Sequence, residues 1–203
     1  MGIMRARDGT VFVTTIIQAH RILTISPDGS VATLAGSAEH GQADGRGEAA
    51  RFGHPADMAE GPDGQLYVVE GGYDKIRRID REGNVTTFAG RPWRAGDTRQ
   101  SIDGDLAVAR FNNPTAIAVA SDGTIYVGDL SGVRQIREGV VSTLYNICAM
   151  GLLLDDGLLY ATVGTYRIVT FVVPTRLDRL RERLAPVLRV WSLMQREARA
   201  EMI

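Results

Sequence analysis

Asp63-Gly64-Gln65-Leu66-Tyr67-Val68 returns almost unchanged as Asp122-Gly123-Thr124-Ile125-Tyr126-Val127. Fainter copies stand at Asp8-Gly9-Thr10-Val11-Phe12-Val13 and Asp156-Gly157-Leu158-Leu159-Tyr160-Ala161. A motif that recurs along a chain marks a stacked architecture, in which each unit buries an apolar face against its neighbour. The flanking sequence repeats as well. Asp44-Gly45 leads to Ala50-Arg51-Phe52 and Pro55, and Asp103-Gly104 leads to Ala109-Arg110-Phe111 and Pro114. In both copies Asp to Arg is seven residues and Asp to Pro is eleven.

Each unit reads as four short strands. A small apolar stretch (Ala56 to Glu60, Thr115 to Ala120) precedes the Asp-Gly turn, where Gly accepts positive φ and Asp can bond its own backbone. The second strand, Leu66 to Glu70 or Ile125 to Asp129, is rich in β-branched and aromatic residues. The third is Lys75-Ile76-Arg77-Arg78-Ile79, matched by Val133-Arg134-Gln135-Ile136. The fourth, Val85-Thr86-Thr87-Phe88 or Val141-Ser142-Thr143-Leu144, carries Thr in the manner of an outer edge, whereas the first is apolar on both faces as expected near an axis.

Tandem four-stranded antiparallel units predict an all-β fold of propeller type. The full pattern, Asp-Gly…Ala-Arg-Phe…Pro…Asp-Gly-x-Leu-Tyr-Val…Arg-x-Ile…Gly-x-Val-x-Thr, resembles the NHL-repeat family of β-propellers over roughly residues 2 to 172. The resemblance implies blades at 1–36, 37–90, 91–146 and 147–173. It also implies a binding or scaffold role, since the family includes protein-binding, RNA-binding and extracellular sensor domains beside a few lyases. The first unit lacks its opening loop and the fourth lacks its last strand. The expectation is therefore an incomplete ring with an apolar sheet face open at each end, where a closed ring of this family usually has about six blades. A truncated propeller fragment without independent function is a competing reading.

From Thr175 the pattern changes. Leu177, Leu180, Leu184, Leu188 and Trp191 recur at helical spacing opposite Arg176, Asp178, Arg179, Arg181, Glu182 and Arg183. This predicts an amphipathic helical tail over 174–203, bent near Pro186, lying on a blade surface, serving self-association or, with its arginines diluted by acidic residues, least favourably meeting a membrane surface.

Composition narrows the function. The net charge of −1 gives no global attraction to nucleic acid or anionic lipid. No apolar run reaches the roughly 18 residues of a membrane span, and no signal peptide is apparent, so the chain reads as cytoplasmic. One cysteine, Cys148, excludes an internal disulfide and reads as a buried, inert thiol among apolar neighbours. Lys75 is the sole lysine.

The candidate chemistry is sparse. His20, His40 and His54 occupy non-equivalent positions in the repeat and show no obvious convergence on one ion, so neither a metal nor a cofactor is expected. Glu70 and Asp129 are equivalent, at the end of the second strand, where a carboxylate either coordinates calcium or acts as a base, or else accepts backbone N–H bonds in the following turn. Asp44 with Arg51, and Asp103 with Arg110, form a repeated pair read as bracing the long loops. The loop residues His40, His54, Tyr73, Trp93, Arg94, Asn112 and Asn113 make up the expected recognition surface, taken to lie in the blade-connecting loops. Aromatic side chains with arginine suit a protein partner more than nucleic acid at this charge. A homodimer through open blade faces or the helix is the other association considered. A metal-dependent propeller lyase or lactonase-like enzyme is the alternative to a non-enzymatic binding module.

Overall fold

The structure, a computed structural model, describes residues 2–16, 19–93, 97, 100–164 and 167–172. Each Asp-Gly turn forms as its chemistry dictates. Gly9, Gly64, Gly123 and Gly157 all take positive φ, between 75° and 91°. Asp8, Asp63 and Asp122 each accept a bond from the backbone N–H two residues on, at 2.9, 3.2 and 3.0 Å. These turns fold each repeat into an antiparallel meander.

The first sheet holds β1 (Ile3–Arg5), β2 (Val11–Thr15), β3 (His20–Ile25) and β4 (Val31–Ser37) in chain order. The second holds β6 (Pro55–Glu60), β7 (Leu66–Glu70), β8 (Lys75–Ile79) and β9 (Asn84–Ala89), with β5 (Gly45–Arg46) added outside β9. The third repeats this with β11 (Ala116–Val119), β12 (Ile125–Gly128), β13 (Val133–Arg137) and β14 (Val140–Tyr145), and β10 (Gly104–Asp105) outside β14. The fourth has β15 (Ala149–Asp155), β16 (Leu158–Val163) and β17 (Arg167–Val172). The arrangement is all-β and propeller-like. It corrects the expected four strands per unit, because the second and third sheets have five. The chain entering each of these sheets pairs two residues with the edge strand, Gly45 with Val85 and Gly104 with Val141. An unpaired edge is thereby closed.

Three apolar cores lie between successive sheets. Phe12, Ile22, Phe52, Met58 and Leu66 fill the first, Ile76, Phe111, Ile117 and Val127 the second, and Tyr126, Val133, Leu159 and Ala161 the third. The two outermost sheets keep apolar residues in solvent, Ile3 at 73% exposure on one and Ile168 at 72% on the other, with Leu153 beside it. Cys148 is half-buried, not buried as its neighbours in sequence suggested. The helical tail expected from Thr175 lies outside the described residues. Among the described residues no helix is long and apolar enough to cross a membrane.

The long loops are tied down by a buried arginine in the third strand of the following sheet. Arg77 is fully buried. Its Nη1 donates to the Arg51 carbonyl and to Glu70 Oε2, both at 3.0 Å, and its Nη2 donates to the Ala43 carbonyl at 3.0 Å and Asp44 Oδ1 at 2.7 Å. Arg134 repeats the arrangement with the Arg110 carbonyl, Asp129 and Asp103. Each guanidinium also stands over the ring of the loop phenylalanine, Phe52 at 5.3 Å and Phe111 at 5.4 Å. The expected pairs are thus corrected. Asp44 and Asp103 meet Arg77 and Arg134, while Arg51 turns to Glu39 and Arg110 to Asp97. The reason is reach. A strand arginine pointing between two sheets bonds both limbs of the loop at once, whereas Arg51 and Arg110 sit on one limb.

Register shows that these arginines accompany the loops. Arg77 faces Val68 and Arg134 faces Val127, and the matching positions are Leu23 opposite Val13 and Val169 opposite Ala161. The fourth sheet is entered by a short connection from β14 and has no long loop before it to hold.

Replacing Arg77 by the leucine of the first sheet takes the cation from the fully buried Glu70 carboxylate and leaves it the Gly53 N–H at 2.6 Å. We expect R77L to lose about 3–5 kcal/mol in urea unfolding. R77L/E70T, which installs the first sheet's residues at both positions, should recover part of that loss. A second prediction concerns acid. Partial burial alone would raise the Asp103 carboxyl, but bonds from Thr143 and then the side chain and charge of Arg134 outweigh it and hold the group below the ordinary range. Its contribution is fully present above the unfolded pKa of about 3.9 and is lost as pH falls through the lowered folded value. D103N should therefore flatten the acid limb of stability against pH.

Candidate functional site

In an antiparallel meander the β2–β3, β7–β8 and β12–β13 turns share one end of the sheets with the long connections, and the Asp-Gly turns occupy the other. His20 opens β3 at the first of these ends. His40 and His54 belong to the connection between β4 and β6, and Tyr73 to the turn between β7 and β8. Tyr73 therefore lies in a turn within a blade, which corrects its placement in a blade-connecting loop.

Adjacent sheets bring these residues together. The ring centres of His20 and His40 are 5.0 Å apart, those of His40 and His54 5.1 Å, and those of His20 and His54 5.5 Å. The three histidines thus meet despite their unlike repeat positions, although among the described residues no group of three is placed to hold one ion. Residues at non-equivalent repeat positions meet because one belongs to the first sheet and two to the loop entering the second. Tyr73 joins the group with its ring 5.0 Å from that of His40 and its hydroxyl 3.1 Å from His40 Nδ1.

The backbone holds this cluster in place. The Gly41 N–H donates to the Phe52 carbonyl at 3.1 Å, and His40 bridges Phe52 in parallel. The Gly72 N–H donates to the Gly53 carbonyl at 2.9 Å. A Cβ at Gly53 would fall on the Tyr73 ring, so glycine there is what lets the ring approach. His54 has a left-handed backbone, φ 58°, as does its counterpart Asn113 at 50°. Asn and His both tolerate that region better than most side chains. His20 Nδ1 is buried with no hydrogen-bond partner among the described residues. Burial, and then the neighbouring imidazoles of His40 and His54, hold His20 below the ordinary histidine range.

The corresponding crevice between the second and third sheets is built differently. There the Asn113 N–H donates to Asp74 Oδ1 at 2.6 Å. Asp129 accepts from Ser131 N and Gly132 N, each at 2.8 Å, and from Ser101 Oγ at 2.7 Å and Asn112 N at 3.2 Å. Asn112 Nδ2 also donates to Ser131 Oγ at 3.2 Å. Trp93 donates its indole N–H to the Phe111 carbonyl at 3.1 Å, and the Arg110 guanidinium lies 4.9 Å from its ring. Trp93 is thus tied to its own loop, Asn112 to the β12–β13 turn, and the backbone N–H of Asn113 to the β7–β8 turn. Arg94 lies outside the described residues.

No family model matches the chain. Among curated proteins it is 30% identical to Teneurin-m of Drosophila melanogaster, over 66% of this chain and 6% of that protein. It is 36% identical to Teneurin-3 of Danio rerio over 35% of this chain and 3% of that one. The chain therefore spans only a few per cent of the length of these relatives. A Bacteroides thetaiotaomicron protein of unknown function superposes with a TM-score of 0.63 at 14% identity, covering 83% of this chain and 46% of the other. A chain of the nidogen/laminin complex gives 0.59 at 18%, over 85% and 60%. An auxiliary nutrient binding protein of Bacteroides thetaiotaomicron gives 0.54 at 25%, over 63% and 34%. The chain is similar to teneurins in sequence and to propeller proteins in fold.

The Gly53–Tyr73 contact is testable. Gly53 does not have a positive φ, so the cost of G53A is steric. We expect about 1–3 kcal/mol in denaturant unfolding, falling to a few tenths in a Tyr73→Ser background.

Proposed function

We propose that this chain is a non-enzymatic recognition module of NHL type that takes a protein partner on the end carrying the long connections. One observation carries the reading. Each long loop is fixed by a buried arginine that bonds both of its limbs. The described residues of a loop held in this way are fixed before binding and lose little entropy on it. The middle of each loop is committed to closing a sheet edge. The recognition surface is accordingly the part at the end of the sheets, around Ala38, His40, His54, Tyr73 and Pro92. Ala38, His40, His54 and Pro92 are exposed. The likeness to a chain of the nidogen/laminin complex and to an auxiliary nutrient binding protein supports binding as a use of the same fold.

A photo-crosslinking residue placed at Ala38 or Pro92 should yield one discrete protein adduct in the native cell. The same residue at Asp28 or Asp63, exposed on the opposite end, should yield none. Adducts of equal yield from both ends, or from the opposite end alone, refute the assignment.

A further inference from the structure

All three histidines of the chain meet at one place. They come from the start of β3 and from the two ends of the connection between β4 and β6. In zinc sites an imidazole nitrogen stands about 2.0–2.1 Å from the ion, which puts the ring centre about 3.2 Å away and separates two tetrahedral ligands by about 5.2 Å between ring centres. The observed separations are 5.0, 5.1 and 5.5 Å. The rings are therefore already at the spacing of an N3 site.

Two further features point the same way. Tyr73 Oη lies 3.1 Å from His40 Nδ1. If Nδ1 carries the proton and the hydroxyl accepts it, Nε2 is left bare, the usual outer-shell arrangement for a ligating histidine. His20 Nδ1, buried beside the other two rings, has no hydrogen-bond partner among the described residues. His40 and His54 are exposed, so an ion has a path from solvent.

We propose that His20, His40 and His54 form a binding site for a single late first-row divalent ion of the Zn2+ type, with a fourth position open to solvent or to a partner's side chain. A set of three imidazoles suits Zn2+, Ni2+ or Cu2+ and not the oxygen-seeking Ca2+ or Mg2+. Among the described residues, as they are placed, no group of three or more His, Cys, Asp or Glu is positioned to hold a metal ion. Closure requires rotation of the imidazoles about their side-chain bonds, with the ring centres near their present places. The ion would join the first sheet, through His20, to the loop that enters the second. The site sits in the crevice between the first two sheets, and the next crevice, with Asp74 and Asn113 at the matching positions, has no counterpart. It does not depend on the partner assignment above.

The test is calorimetric titration of the tag-free, chelator-treated full chain with Zn2+, and with Co2+ for its visible spectrum. We expect one equivalent bound, with tetrahedral Co2+ absorption, and no response to Ca2+. His54→Asn is the key variant, because Asn113 occupies the same left-handed backbone in the next unit, so the fold is retained. H54N should weaken Zn2+ binding about 100-fold or more, and Tyr73→Phe by about 10-fold. The absence of saturable Zn2+ binding, or equal affinity in wild type and folded H54N, overturns the proposal.

Discussion

The guanidinium of a third-strand arginine, buried between two sheets, is the interaction on which the rest of this molecule depends. Arg77 and Arg134 each sit in an apolar gap, where an isolated charge is untenable. Each is made tolerable by two carboxylates, by loop carbonyls and by the face of a phenylalanine. Lysine could not substitute, because only a planar fork reaches both limbs of the loop in one plane. Removal of one partner is more damaging than absence of the whole group. The first sheet shows the alternative. There Leu23 stands at the matching position, opposite Val13.

From this constraint the form of the loops follows. With both limbs fixed, the middle of each loop lies against the outer edge strand and closes it by two residues of pairing. The limbs return to the inner strand through Phe52 and Phe111, which complete the cores between sheets. One segment thus closes an edge, fills a core and positions the residues at the end of the sheets. The rigid scaffold with exposed residues at one end is what a binding role requires, and the buried arginine supplies the rigidity.

The same geometry explains how two adjacent crevices differ. Between the second and third sheets the space is closed by Asp74, Asn113, Asp129 and Ser131, which bond one another and the backbone. Between the first and second sheets, imidazoles and a tyrosine occupy the corresponding space, and one ring nitrogen has no hydrogen-bond partner among the described residues. The repeat therefore holds the backbone constant and lets a few side chains change the chemistry of each crevice.

By itself the sequence determined the strands, the turns and the stacked order. Alternation, Asp-Gly pairs and fixed spacings are local signals, and local physics is enough to read them. It also marked Asp44, Asp103, Glu70 and Asp129 as repeated, yet it assigned the aspartates to Arg51 and Arg110, the nearest arginines along the loop. Only the tertiary structure decided that Arg77 and Arg134 are the partners, because the deciding distance runs between sheets and not along the chain. The histidines were missed for a related reason. His20 was compared with residues at the same repeat position, whereas contact depends on which ends of neighbouring sheets face each other. A turn at one end of the first sheet meets the loop entering the second, and that juxtaposition, invisible in spacing, brings His20, His40, His54 and Tyr73 to a single place.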